Sequence, residues 1–196
     1  MNALSQALQT ISLLVTIVLA FCGWLIAHRS ARELARRKDE LDLTNKRLNE
    51  FYGPLYVVSE VGKTAYNSLL RKLGRDAVFD ASRPFAQLRK SEQDEWKIWV
   101  RHVYMPLNET IERLIVNNAY LIREEQVPKC LLDFVTHVVG YRAMLAKWEL
   151  NDYTEYQSIM DFPAGLNEYA SKSYSELKSE QTHLIGVTQK SKTRIL

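Results

Sequence analysis

Residues 8–55 read LQTISLLVTIVLAFCGWLIA, then HRSARELARRK, then DELDLTNKRLNEFYGPL, and the changes of character along them decide the fold. Leu8 to Ala27 contains no ionisable side chain except Cys22. As a helix, this run of about twenty residues reaches about 30 Å, the thickness of a bilayer's hydrocarbon core. Arg29, Arg32, Arg36, Arg37 and Lys38 follow at once, against the single acid Glu33. Trp24 stands near the basic end, where aromatic rings settle at a membrane interface. Residues 1–28 therefore read as one transmembrane anchor, with Trp24, Arg29, Arg32, Arg36, Arg37 and Lys38 as its interface residues. Positive charge stays on the cytoplasmic side, so the N-terminus is expected outside and the chain after Arg29 in the cytoplasm. Met1 to Ala7 lacks the positive charge of a secretory signal, and Phe21 stands where a lipoprotein cleavage site needs a small residue. The anchor is accordingly expected to remain uncleaved.

A heptad register runs on from the anchor. Leu13, Ala20, Ala27, Leu34, Leu41, Leu48 and Leu55 take one seam position, and Ile17, Trp24, Ala31, Lys38, Asn45 and Tyr52 the other. Leucine at one position with a lone asparagine at the other suits a two-stranded zipper. Inside the anchor, Ser12, Thr16, Ala20, Gly23 and Ala27 form a small-residue stripe that permits close helix approach. Self-association through Ala20, Gly23, Ala27, Leu34, Leu41, Asn45 and Leu48 is one reading. Packing of the same leucines on the protein's own helices is the other.

The remaining composition points to helices. Among 196 residues there are seven glycines and five prolines, too few for a strand-and-turn architecture, and no internal repeat or convincing strand is evident. With 46% hydrophobic and 25% charged residues, the part outside the membrane reads as globular. The net charge of +3 lies mostly beside the anchor and at the C-terminus, a placement that suits anionic lipid rather than nucleic acid. Cys22 and Cys130 fall in different environments, so both thiols are expected free, as in a reducing compartment.

Gly53-Pro54 is expected to end a juxtamembrane helix over 29–53. The bundle over 54–186 should then begin with a helix burying Leu55, Val58, Val61, Ala65, Leu69 and Leu73 and stopping at Gly74. A loop follows over 75–90. Ser91 reads as an N-cap for a helix burying Trp96, Val100, Val103, Leu107, Ile111 and Leu114, kinked or divided at Pro106. Pro128 opens a helix with Leu131, Phe134, Val138, Tyr141, Leu145 and Trp148 inward. After an acidic, tyrosine-bearing loop, Pro163 opens the last helix, which carries Leu166, Ala170, Tyr174, Leu177 and Leu184 inward and closes at Gly186. Residues 187–196 read as a flexible basic tail. The fold class is all-α: one transmembrane helix, a juxtamembrane helix and a cytoplasmic bundle of four or five helices.

No motif carries chemistry. Gly62-Lys63-Thr64 imitates the end of a phosphate-binding loop, but Val57 stands where that loop needs its first glycine. Asp133 and His137 are four apart on one helix, yet no His-x-x-x-His or Cys-x-x-Cys pattern supplies further metal ligands. A hydrogen-bonded flank of a core face is the expected role of that pair. Asn108-Glu109-Thr110 matches a glycosylation sequon, silent in the cytoplasm. The aromatic set that includes Trp96, Trp99, Tyr104, Tyr141 and Trp148 is read as core, with a ligand pocket as the alternative.

Leu48-Asn49-Glu50-Phe51-Tyr52-Gly53-Pro54-Leu55-Tyr56 and Met105-Pro106-Leu107-Asn108-Glu109 each set a proline beside Asn/Glu polar groups and bulky apolar ones. With Trp148 and Phe162-Pro163 they resemble a pattern in bacterial single-pass membrane proteins with a helical cytoplasmic domain, across the last three quarters of the chain. The resemblance implies a bacterial inner-membrane origin and supplies neither an activity nor a catalytic residue. The expected function is a membrane-tethered, non-catalytic interaction or regulatory module, with no cofactor or metal. Its expected partners are the bilayer, a cytoplasmic protein and, if the seam pairs, a second copy. The alternatives are an oligomerising membrane effector of the defence or toxin kind, and an enzyme working beside the membrane.

Overall fold

The computed structural model describes the backbone of residues 3–79 and 84–193 and the side chains of 11–79 and 84–186. The described residues are all-helical, without a strand. Helix α1 spans Ala3–Arg47, a π-helical turn spans Leu48–Tyr52, and α2 spans Gly53–Leu73. Past a loop and a short 3-10 turn, α3 (Lys90–Trp99) leads through a second π turn, Val100–Tyr104, into α4 (Met105–Asn117). Helices α5 (Lys129–Glu149) and α6 (Leu166–Thr193) complete the chain.

Gly53-Pro54 does not end a helix, contrary to the expectation from sequence, and Pro106 does not divide one. Proline has no N–H to donate, and its ring crowds the carbonyl four residues back. Each proline here is preceded by a widened π turn. The N–H of Gly53 reaches back five residues to the Leu48 carbonyl, and that of Met105 reaches the Val100 carbonyl. The widening makes room for the ring, and helical hydrogen bonding resumes beyond it. The two segments match position for position: Leu48 with Val100, Phe51 with Val103, Tyr52 with Tyr104, Pro54 with Pro106 and Leu55 with Leu107. This recurrence lies far below the length of a repeat unit.

Other boundaries shift for local reasons. Arg89 rather than Ser91 is the N-cap of α3, because the Glu92 carboxylate turns back to accept the Arg89 backbone N–H at 3.0 Å. Buried Glu92 also pairs with Arg75 and Arg89, and the Arg89 hydrogen bond comes first in holding its carboxyl below the ordinary range. Gly74 caps α2 in the left-handed conformation, φ 65°, as expected from sequence. Helix α6 begins at Leu166, three residues after Pro163, and continues through Gly186 to Thr193. Residues 194–196 lie outside the described residues.

Contacts divide the chain into two compact units, Met1–Leu43 with Gln181–Leu196, and Thr44–Glu180. In the first unit, α1 is long and apolar enough to cross a membrane, and none of its apolar window is buried by the protein. Trp24 stacks on His28 with centroids 5.3 Å apart. Farther along, Arg37 pairs with Glu33 at 2.9 Å and Arg36 with Glu40 at 2.7 Å, spacings that support an exposed helix.

In the second unit, α2 packs on α4 and α4 on α5. The α5 face is buried from Leu131 through Phe134, Val138 and Tyr141 to Trp148, with Leu145 half-buried, at the spacing read from sequence. Leu55 and Leu69 of α2 are buried as expected, whereas Val61 is exposed and Ser59 takes an inward position instead. Leu166, Ala170 and Leu177 bring α6 into the same core. Tyr153 and the residues after it form a loop pinned by two tryptophans. Trp148 Nε1 donates to the Glu155 carbonyl and Trp96 Nε1 to the Tyr156 carbonyl, each at 2.7 Å. Two indoles from different helices thus hold consecutive carbonyls of one loop.

Candidate functional site

The pinned loop closes one side of a cavity of about 500 Å³ within the second unit. Helix α2 contributes Ser59, Gly62, Lys63 and Tyr66, and the second π turn contributes Tyr104. Asn108 and Ile111 come from α4, His137 and Tyr141 from α5, and Gln157, Ser158, Met160, Asp161 and Phe162 from the loop. Trp96, Phe79 and Asn167 complete the walls. Aromatic rings surround much of the space. Tyr104 lies 5.7 Å from Trp96 and 6.3 Å from Tyr66, centroid to centroid.

The polar groups in these walls fall into two sets. The first set is satisfied within the protein. His137 Nδ1 lies 2.6 Å from the Met160 carbonyl, and Ser158 Oγ donates to the His137 carbonyl at 3.0 Å. A carbonyl only accepts, so Nδ1 carries the proton and Nε2 is the acceptor of a neutral ring. Burial pushes the His137 pKa below its ordinary value, with the Met160 contact acting the other way. The loop is held close over α5: a Cβ on Gly140 would stand 2.2 Å from Ser158 Oγ. The second set is unsatisfied. Ser59 Oγ, Tyr104 OH and Asn167 Oδ1 are buried without a hydrogen-bond partner, and Ser59 is only 3% exposed. Burial also drives the Tyr104 and Tyr141 hydroxyls well above the ordinary phenol range, so both stay protonated.

The matched tyrosines make the contrast plain. Tyr52, in the first π turn, accepts the Arg123 backbone N–H at 3.0 Å and lies 3.3 Å from Tyr169 OH. Tyr104 holds the same place in the second π turn and has no such partner. A buried hydroxyl left unpaired costs about 1–3 kcal/mol, which makes it informative about what the site accepts.

A second depression of about 390 Å³ lies beside Pro106, between Arg101, Glu109 and Arg142. Both of its arginines are already engaged, since Arg142 pairs with Glu112 and reaches Glu109 at 4.0 Å, and Arg101 lies over the Trp148 ring. It offers a ligand less than the aromatic cavity does.

Residues singled out from sequence fall as follows. Asp133 and His137 are not brought together: Lys129 holds Asp133 at 2.6 Å, while His137 turns toward Met160. Among the described residues no three His, Cys, Asp or Glu side chains gather closely enough for a metal. Gly62-Lys63-Thr64 lies within α2 as helix, and two of its residues line the cavity. Asn108 of the sequon is 8% exposed, in the cavity wall. Trp96 and Tyr141 are core and cavity wall at once, so the two readings of the aromatic set meet in them. Of the seam residues, Leu48, Tyr52 and Leu55 are buried in the protein's own core, Leu41 and Asn45 are half-buried, and Leu34 is 47% exposed. Ala20, Gly23 and Ala27 lie on exposed helix, and a Cβ on Gly23 would meet nothing.

Sequence reasoning missed Ser59, Ser158 and Asn167 as cavity residues. The available signal was Ser59 itself, a polar residue flanked by the valines of an apolar helical face. No family model, curated protein or solved structure matches this chain.

Proposed function

We propose that the chain is a single-pass protein of the bacterial inner membrane, with its N-terminus outside. Its helical domain serves in the cytoplasm as a non-catalytic interaction or regulatory module. The observation that carries this reading is the uncovered apolar run of α1, with Leu13 63% and Leu19 66% exposed. A core helix of a soluble protein would bury such residues, whereas a bilayer accommodates them at no cost. Arg29, Arg32, Arg36, Arg37 and Lys38 then lie at the phosphate level of the cytoplasmic leaflet. Support for a binding rather than a catalytic role comes from the bundle's acids. Glu92, Glu112, Asp133 and Glu155 all sit in ion pairs, and among the described residues Asp161 alone of the acids lines the cavity.

The test joins fractionation to a reporter fused after Leu196. Alkaline extraction should leave the protein in the membrane pellet, and the reporter should behave as cytoplasmic. Release by alkali refutes the anchor, and a periplasmic signal refutes the orientation. Dye leakage from intact expressing cells would replace the module by a membrane effector.

A further inference from the structure

We propose that the cavity between α2, α4, α5 and the pinned loop is a binding site for a small, neutral, flat molecule. The ligand has an apolar aromatic body and at least one hydrogen-bonding edge, as phenols and indoles do. This goes beyond the membrane reading and stands independently of it.

Four observations converge. The volume of about 500 Å³ lies in the range of small-molecule pockets. The walls carry aromatic rings, among them Tyr66, Trp96, Tyr104 and Phe162, which favour a planar body by stacking or edge contact. Among the described residues, the formally charged side chains lining the space are Lys63 and Asp161, of opposite sign and both exposed, so a buried net charge would have no counter-ion there. Finally, three residues of the same walls carry buried polar atoms without a partner, Ser59 Oγ, Tyr104 OH and Asn167 Oδ1, and Ser59 is only 3% exposed. Two hydroxyls and an amide oxygen can together serve a ligand that both donates and accepts. Tyr52, the matching tyrosine of the first π turn, has its hydroxyl partnered by the protein itself. The loop is already fixed by Trp96, Trp148 and Ser158, so little ordering opposes binding.

The test uses the full chain in lipid nanodiscs and a neutral phenol carrying a photoactivatable diazirine, with labelled peptides mapped by mass spectrometry. Labelling should concentrate on peptides holding 59–66, 104–111 and 137–141, and β-naphthol should compete while charged β-naphthoate should not. Ser59→Ala and Tyr104→Phe should each raise the half-saturating concentration about fivefold, the worth of one hydrogen bond. Neither should lower the melting temperature, because each removes a buried group that has no partner in the free protein. Gly62→Leu supplies a block independent of those hydroxyls. A Cβ there meets nothing within 4 Å, and leucine suits a helix better than glycine, so the variant should fold and occlude the space. Label outside these peptides, or undiminished label in a folded Gly62→Leu, overturns the site. Equal competition by β-naphthoate overturns the neutral ligand, and a lowered melting temperature in both hydroxyl variants overturns their assignment to it.

Discussion

Trp148 gives the sharpest handle on how the bundle is held. Its ring is 1% exposed, Arg101 lies over it at 5.5 Å, and its Nε1 donates to the Glu155 carbonyl at 2.7 Å. Trp148→Ala removes both the packing and the donor and should cost about 3–5 kcal/mol. Trp148→Phe keeps a ring in the core but leaves the Glu155 carbonyl unpaired, at about 1–3 kcal/mol. In a domain of this size each kcal/mol moves the melting temperature by about 2–4 °C, so the drops should be roughly 6–20 °C and 2–12 °C. The assay is thermal unfolding of the full chain in nanodiscs by near-UV circular dichroism. That signal reports the packed indoles and is insensitive to helix retained in lipid. An unchanged melting temperature for Trp148→Ala would refute the reasoning, since it would place the α5 face outside the core. Equal losses for both variants would assign the whole effect to the single hydrogen bond.

Two further outcomes are expected. Burial lowers the folded-state pKa of His137 below the ordinary 6.5, so in the window between the two values the unfolded chain binds more protons. Stability should therefore fall as the pH drops through about 6.5 and level off below the folded value. His137→Gln should flatten that slope in melting curves between about pH 7.5 and 5.5, and an identical slope would remove His137 as its source. For self-association, a cysteine replacing exposed Leu34 in a background lacking Cys22 and Cys130 should crosslink in native membranes, and one replacing Arg36 on the outer face should not. Equal crosslinking at both positions would end the zipper reading.

Where a residue type leaves a backbone little choice, the fold was legible. The α5 spacing from Leu131 to Trp148, the left-handed Gly74 and the uncharged run from Leu8 to Ala27 all translate directly. Misreadings arose where a second group altered the local rule. Pro54 and Pro106 break an α-helix but not one widened by a π turn, and a π turn has no periodic signature in sequence. Ser91 has a capping side chain, yet Glu92 captured the Arg89 N–H first. The cavity was the least legible feature. Its walls come from α2, the second π turn, α4, α5 and a loop, and only tertiary contact brings Ser59 near Asn167. The Trp and Tyr residues stand out in the sequence, but spacing alone does not separate a ring that fills a core from one that faces a void.

The π turn at Leu48–Tyr52 also changes what the leucine ladder can mean. Such a turn inserts the equivalent of one extra residue into an α-helix, and one residue corresponds to about 100° of azimuth. A heptad count that passes through it, from Leu41 to Leu48 and on to Leu55, is therefore out of phase on its far side. Between Leu48 and Leu55 the heptad rule loses its meaning. The turn works as a phase shifter: side chains before it can be selected for one neighbour and those after it for another, with no loop between. Removing one residue from 48–52 would erase that freedom and restore an unbroken heptad count through the segment.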